Sequence, residues 1–512
     1  MNINKRTNLA QNIFCISDFG AVGDGQTNNT KAINETIRAC SESGGGTVWV
    51  PAGKFLTGPI QLKSNITLHI DAGARILAST NPDDYPIIER RFEGIKQKGY
   101  MPFLYSRMCE NIAITGRGTI DGQGRPWWEK KLNGSLKYAR PLLVGPENCH
   151  NVLIQGIRLI NSPFWTVSPL FCENITITAI SIANPYESSN TDGINPDSCK
   201  NVHISNCHID VGDDCLTIKS GMNEDGRSVG IACENITVTN CTMAHGHGGV
   251  VIGSDMSGAV RNVVISNCVF VDTDRGIRIK SCRGRGGLVE DIRIDNIIMK
   301  NVLCPIVMNC YYAAGNSPDD AYINDKNTRA VDERTPAFRN IHISNMTARN
   351  VKAAAGFLYG LPEIPIEGVT FNNVVISVGE ETDEEPKLPA SIYDVEPMKN
   401  AGFLCNNIKD VQFHNVTVVA KFAQALQIEN AENIEIDCFK AGTCSSVSPI
   451  VCLKNVEGAI IRHCQAPKDC DTFLKISGSK TRDVYVAGNN LQSAKQGILL
   501  GEDVDRTAVV EK

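Results

Sequence analysis

The 512-residue chain is poor in aromatics, at 6%, and has no strong excess of either charge: 50 Lys+Arg stand against 56 Asp+Glu, for a net of −6. That balance argues against a general nucleic-acid binder, whose affinity comes from neutralising phosphates. An anionic ligand would need a local basic patch. The N-terminal stretch MNINKRTNLAQNIFCISDFG lacks the apolar core of a secretory signal, and no later stretch approaches the about eighteen apolar residues of a membrane span. The expectation is a cytoplasmic chain with no membrane partner. Pro/Ser-rich linkers and charge blocks are missing as well, so one elongated domain is expected despite the length. Cysteine is plentiful, at 20 residues, but no CxxC pair occurs. Buried reduced thiols are therefore expected, with no disulfide framework and no closed zinc site.

What the chain does contain is a repeat. A charged residue or His, then Asn or Asp, then alternating β-branched residues, recurs as Glu110-Asn111-Ile112-Ala113-Ile114, Glu173-Asn174-Ile175-Thr176-Ile177 and Lys200-Asn201-Val202-His203-Ile204, and on to Glu432-Asn433-Ile434-Glu435-Ile436. Self-similarity at intervals mostly in the twenties marks a solenoid whose units bury apolar faces only by stacking. Alternation within each phrase is the period of a strand with one buried face. Several strands per turn, with Asn at the corners, describe an all-β parallel β-helix. Asn suits a corner because it tolerates left-handed backbone and can hydrogen-bond to the same Asn one coil on. Cys109, Cys149, Cys172, Cys199 and Cys233 precede the repeated Asn, and Cys207, Cys241 and Cys268 end strands, so they are expected as stacked small hydrophobes.

Ala32, Ile33, Thr36, Ile37 and Cys40 fall at helical spacing, which predicts a short N-terminal helix over Asn29 to Ser43 covering the first coil, stopped by Gly44-Gly45-Gly46. The expected organisation is a single domain over 1–512, with a cap at about 13–60, catalytic coils at about 140–315 and C-terminal coils at about 338–512. Two polar insertions, Asn81–Arg107 and Tyr311–Phe338, are expected to wall a groove. The pattern after about Ala441 is weak.

Four clusters on consecutive coils would lie side by side at the roughly 4.8 Å strand spacing: Asn190-Thr191-Asp192-Gly193, Gly212-Asp213-Asp214, Gly246-His247-Gly248 and Arg278-Ile279-Lys280. With Leu216 and Ile218 inward, Asp213, Thr217 and Lys219 point outward, and Lys219 joins the candidate substrate-binding cations. Asp192 and Asp214 would face the core unless the adjacent glycines turn the chain, and burying ionised Asp among Val and Ile is costly. Three gathered carboxylates raise one another's pKa, so one is expected to hold a proton near neutral pH. A protonated and an ionised carboxyl around one slot suit glycoside hydrolysis. An Asp ladder, a Ca²⁺ site or a calcium-dependent lyase would fit the same spacing. His247 could tune the acid, whereas His245 is taken as structural. The run Arg275 to Arg285 holds no acidic residue and reads as an anion site fitting a sugar carboxylate.

These motifs, in this order, resemble the polygalacturonases of glycoside hydrolase family 28, together with Asn161-Ser162-Pro163-Phe164-Trp165, the start at Asp18-Phe19-Gly20-Ala21, and a Tyr best matched by Tyr312. The resemblance implies a right-handed parallel β-helix, a pectin-lyase-like solenoid, and hydrolysis of α-1,4-galacturonosyl bonds with inversion. It implies that Asp213 is the general acid, that Asp192 and Asp214 activate water, and that His247 supports the acid. Arg278, Lys280 and Tyr312 would hold sugar carboxylates. No metal or cofactor is implied, and the partner is an oligogalacturonide or another pectin-derived acidic carbohydrate. The insertions look like those of exo-acting relatives, which favours release of galacturonic acid. Endo cleavage, rhamnogalacturonan or xylogalacturonan hydrolysis, and a non-catalytic uronate-binding β-helix stay open, as does oligomeric state.

Overall fold

The computed structural model describes residues 12–379, 385–420, 423–442 and 448–512. The repeated phrase forms the first of three parallel sheets: Glu110–Gly116, His150–Gln155, Glu173–Thr178, Lys200–Ser205 and Cys233–Thr239 pair in succession. Ile112, Val152, Ile175, Val202 and Ile236 fall in register and are buried, so each coil stacks the same apolar position on the last. A second sheet runs through Thr119–Asp121, Arg158–Ile160, Ser181–Ala183, His208–Val211 and Thr242–His245. The third contains Val144–Glu147, Leu216–Ile218, Val250–Gly253, Arg275–Lys280 and Cys304–Asn309. Together they form a right-handed parallel β-helix whose main core cluster extends from Ile16 to Val504. Strands continue past Ala441, at Val451–Arg462, Cys470–Ser477, Arg482–Ala487 and Ala494–Leu500, where the sequence pattern was weak.

The corner asparagines behave as their chemistry requires. Asn111, Asn151, Asn174, Asn201, Asn235 and Asn262 all have φ between 54 and 59°. Each donates its amide to the Asn of the preceding coil, for example Asn201 to Asn174 at 3.0 Å and Asn235 to Asn201 at 3.0 Å. The described cysteines are all free, and the two predicted columns are buried except for Cys109, which is half-buried. Helix Thr30–Glu42 buries Ile33, Thr36, Ile37 and Cys40 against the first coils, as expected of a cap. Among the described residues no helix is long and apolar enough to cross a membrane.

The first insertion contains an antiparallel hairpin, Ile87–Phe92 with Ile95–Tyr100, that lies across the third sheet. Phe92 joins Leu142, Phe164 and Trp165 in a small separate core. The buried Arg90 donates to the Ser168 carbonyl at 2.8 Å, and the buried Arg91 to Asp197 at 2.8 Å. The hairpin tip at Gly94 accepts from the Met222 amide at 2.9 Å. The second insertion holds Arg283, which is buried against Glu363 and donates to the Asp325 and Asn327 carbonyls. A third wall went unseen in the sequence, around residues 388–393. Leu388 and Pro389 carbonyls accept from Arg275 at 2.8 and 3.1 Å, and the Ser391 carbonyl accepts from Asn309 at 2.9 Å.

Candidate active site

The corner between the second and third sheets carries the chemistry. Ile194, Leu216, Val250 and Ile277 are register partners on successive coils, so Asp192, Asp214 and Gly248, each two residues earlier, share one level. Asp192, Asp213 and Asp214 bring carboxylate oxygens within 4.8 Å of one another. The adjacent glycines make this possible chiefly by letting coils approach. A Cβ on Gly193 would lie 2.3 Å from the Cys215 carbonyl oxygen, and one on Gly248 would lie 3.2 Å from Asp214 Oδ1.

The three carboxyls are turned away from the apolar core, as the cost of burying charge demands, but two of them are not solvated. Asp192 is 4% and Asp214 2% exposed, while Asp213 is half-buried. Side chains of the neighbouring coils close around these two: Asn195 and Thr217 reach Asp192, and Arg278 and Lys280 reach Asp214. Asp214 receives Lys280 Nζ at 2.7 Å and Arg278 Nη1 at 3.2 Å. Burial alone would raise its pKa, but Lys280 and then Arg278 outweigh burial and hold it well below the usual carboxylate range. Asp192 has only neutral donors, Asn195 at 2.9 Å and Thr217 at 3.5 Å. Burial first, then the charge of Asp213, pushes its pKa up to about 8. The triad therefore holds a carboxyl kept ionised, Asp214, and one whose ionisation is disfavoured, Asp192. Asp213 accepts from Asn190 Nδ2 at 3.4 Å.

His247 Nδ1 lies 2.8 Å from Asp274 Oδ2. That hydrogen bond raises the imidazole pKa against the opposing effect of burial, with a further contribution from the charge of Asp213. Asp274 was missed in the sequence, although its place just before the basic run, one coil after His247, was a usable signal. Arg278 and Lys280 leave the same face, and the Tyr312 ring lies 5.6 Å from the Arg278 guanidinium carbon and 5.1 Å from Lys280 Nζ. Lys219, the other candidate substrate-binding cation, is as buried as Arg278 and Lys280. Its ammonium lies 3.4 Å from Asp255 and 4.5 Å above the Trp165 ring. His245 pairs with Asp210 on the exposed surface, consistent with a structural role.

The triad spacing could in principle hold a divalent ion, yet two cations already occupy both oxygens of Asp214 and would repel one. Far from the groove, Asp437, Cys438 and His463 also gather ligand atoms within 4.8 Å, which no sequence spacing announced.

A family model described as Glycosyl hydrolases family 28 matches residues 40–392. The chain belongs to glycosyl hydrolase family 28. It is 36% identical over 428 residues to a "Probable polygalacturonase" of Vitis vinifera, covering 81% of this chain and 84% of that protein. An endo-polygalacturonase of Pectobacterium carotovorum is 32% identical over 309 residues, covering 57% of this chain and 74% of that protein. Among solved structures, a hyperthermoactive exopolygalacturonase from Thermotoga maritima superposes with a TM-score of 0.67 at 33% identity, covering 79% of this chain and 91% of that one. Membership makes the chain a polygalacturonase-type glycoside hydrolase and sets the carboxylate triad in a hydrolytic context. The family 28 match stops at residue 392, whereas the coil repeat runs on in the sequence to Ile436.

Proposed function

We propose that the enzyme is an exo-acting galacturonan hydrolase that releases galacturonic acid from the end of polygalacturonate or oligogalacturonides. The observation that carries this reading is the enclosure of the groove. Hairpin 87–100 is bolted over the third sheet on the N-terminal side of the triad, and residues 388–391 grip Arg275 and Asn309 on the other. A long polymer threading through would meet a wall, whereas a chain end would not. Arg278, Lys280 and Tyr312 then hold the sugar carboxylates beside the bond.

In this mechanism Asp213, the most exposed of the three carboxyls, gives its proton to the glycosidic oxygen as the C1–O bond breaks. Water held by Asp192 and Asp214 attacks C1 and loses a proton to Asp192. The products are a new reducing end and a new hydroxyl, with the proton moved from Asp213 to Asp192. The cycle closes when that proton returns from Asp192 to Asp213. The imidazolium of His247, held by Asp274, sets the potential at Asp213. We propose inversion at C1, although the nearest carboxyl oxygens, within 4.8 Å, are closer than the roughly 6.5–9.5 Å of most inverting pairs.

The test is the product profile of trigalacturonate and polygalacturonate over time, with and without chelator, with NMR of the first-formed anomer. Monomer alone from the outset supports exo action, and a ladder of oligomers means an endo-enzyme. A chelator-sensitive, ultraviolet-absorbing product would mean a lyase. No cleavage would point to a modified pectin such as rhamnogalacturonan or xylogalacturonan, or to a uronate-binding protein. The last is excluded if Asp213→Asn binds but does not cleave.

A further inference from the structure

On the outer face of the first sheet, beyond the end of the family match, one carboxylate gathers donors of two other kinds. Strand Leu426–Asp437 turns Ile434 and Ile436 into the core, so Glu435 and Asp437 point outward. Cys438 follows at the corner, and the next coil brings Arg462 into register with Asp437 and His463 into the corner position. His463 Nδ1 lies 2.8 Å from Asp437 Oδ1, and the Cys438 thiol hydrogen-bonds to the same carboxylate. The three residues bring ligand atoms within 4.8 Å of one another. His414, on the preceding coil, lies 3.8 Å from Asp437 Oδ2 and completes a second such group with Glu435. A His–Asp pair of the same geometry, His245 and Asp210 at 2.9 Å, has no third donor among the described residues.

The corner residues depart from their column. On earlier coils the left-handed residue here is Asn267, Asn296, Asn345, Asn373 or Asn415, and amides bridge the coils, as Asn296 to Asn267 and Asn373 to Asn345, each at 2.7 Å. Cys438 and His463 hold the same conformation, at φ 55 and 53°, without an amide to extend that ladder. Left-handed backbone disfavours a residue with a β-carbon, and asparagine offsets this by local hydrogen bonding. Thiolate, imidazole and carboxylate together make a donor set for zinc, whereas calcium and magnesium take oxygen alone. A zinc ion there replaces the protons that the thiol and the imidazole direct at Asp437. Arg462 reaches Asp437 Oδ2 at 3.2 Å but is shared with Glu435, and Oδ1 faces the imidazole instead of a guanidinium. That differs from Asp214, where fixed cations occupy both oxygens.

We propose that Asp437, Cys438 and His463 bind a zinc ion, with water in the fourth position, and that the ion clips strand Leu426–Asp437 to Val451–Arg462 at their common corner. The site is open to solvent, unlike a closed cage of paired cysteines, and its ligands meet only because successive coils stack. It is separate from the hydrolytic centre. From Thr239, on the coil that carries His247, the register runs through Ser266, Asp295, Ser344, Asn372 and His414 to Asp437, six coils on. At roughly 4.8 Å per coil the separation is about 29 Å. The ion fastens the coils where the asparagine ladder of this corner ends.

The experiment titrates Zn²⁺ into the reduced, metal-stripped full chain against a chromophoric chelator. The proteins are the wild type, Cys438→Asn/His463→Asn and, as a control in the other His–Asp pair, His245→Asn. Asparagine is the residue this corner carries on earlier coils, so the double variant should fold, which its urea midpoint in chelator checks. The wild type and His245→Asn are expected to bind one equivalent. The double variant should bind it more weakly by at least the roughly 10–100-fold that removing a ligand's outer partner costs. Zn²⁺ should raise the urea midpoint of the wild type and leave that of the double variant in place. Co²⁺ in place of Zn²⁺ should give a thiolate-to-metal charge-transfer band in the wild type that the double variant lacks. No binding by the wild type, equal binding by the folded double variant, or a Co²⁺ adduct without the thiolate band overturns the proposal.

Discussion

Replacing Asp192 by Asn should stabilise the protein in alkaline solution while abolishing its activity. Asp192 is fully enclosed, and burial followed by the charge of Asp213 lifts its pKa from 3.8 to about 8. Between those values the folded enzyme keeps a proton that the unfolded chain has released, so the folded state loses stability as pH rises. The contribution is fully present below about pH 4 and is lost as pH climbs through 8. Each pH unit in that window costs about 1.4 kcal/mol, hence about 4 kcal/mol between pH 5 and pH 8. Asparagine keeps the shape and can still accept from Asn195 and Thr217, but it cannot ionise. Urea unfolding of both proteins at pH 5, 6.5 and 8 measures the difference. The advantage of Asp192→Asn is expected to grow by about 4 kcal/mol across the series, while kcat falls by roughly 10²–10⁴. A difference that stays constant with pH would refute the reasoning. It would mean that Asp192 is ionised in the fold and that Lys219 neutralises it.

Two further outcomes follow from other contacts. Asp274→Asn removes the negative charge of the acceptor that raises the His247 pKa, so the imidazolium is lost at lower pH. The alkaline limb of the kcat/KM profile should move down in pH, with activity at neutral pH reduced by roughly one to two orders of magnitude and the fold unchanged. Asn201→Ala breaks two rungs of the corner ladder and places Ala at φ 56°. Urea unfolding should show a loss of about 2–3 kcal/mol, part of which Asn201→Gly restores because glycine carries no left-handed penalty.

The coil repeat was readable because its physics is local in sequence. Alternating Ile and Val bury one face of a strand, and Asn accepts left-handed backbone, wherever the phrase occurs. Asp192, Asp213, Asp214, His247, Arg278 and Lys280 were legible for the same reason, since a regular stack turns sequence order into spatial adjacency. Asp274 was not singled out, because it matters only through a partner on another coil, His247. Strand alternation gave the direction of Lys219 but could not say that Trp165 and Asp255 would pack on it.

The order of residues by itself determined the β-helix, its corners, its thiol columns and the gathering of acids and bases on one edge. Each of these needs only a short period repeated at constant spacing. The tertiary structure alone decided which carboxyls are dry and which one is paired with cations. Those properties depend on side chains from other coils, Arg278 and Lys280 for Asp214 and Thr217 for Asp192, which lie 64, 66 and 25 residues away in the chain. No local pattern encodes such distances. The electrostatics of the site are set by which charges those neighbours bring to a carboxyl that burial has taken out of water.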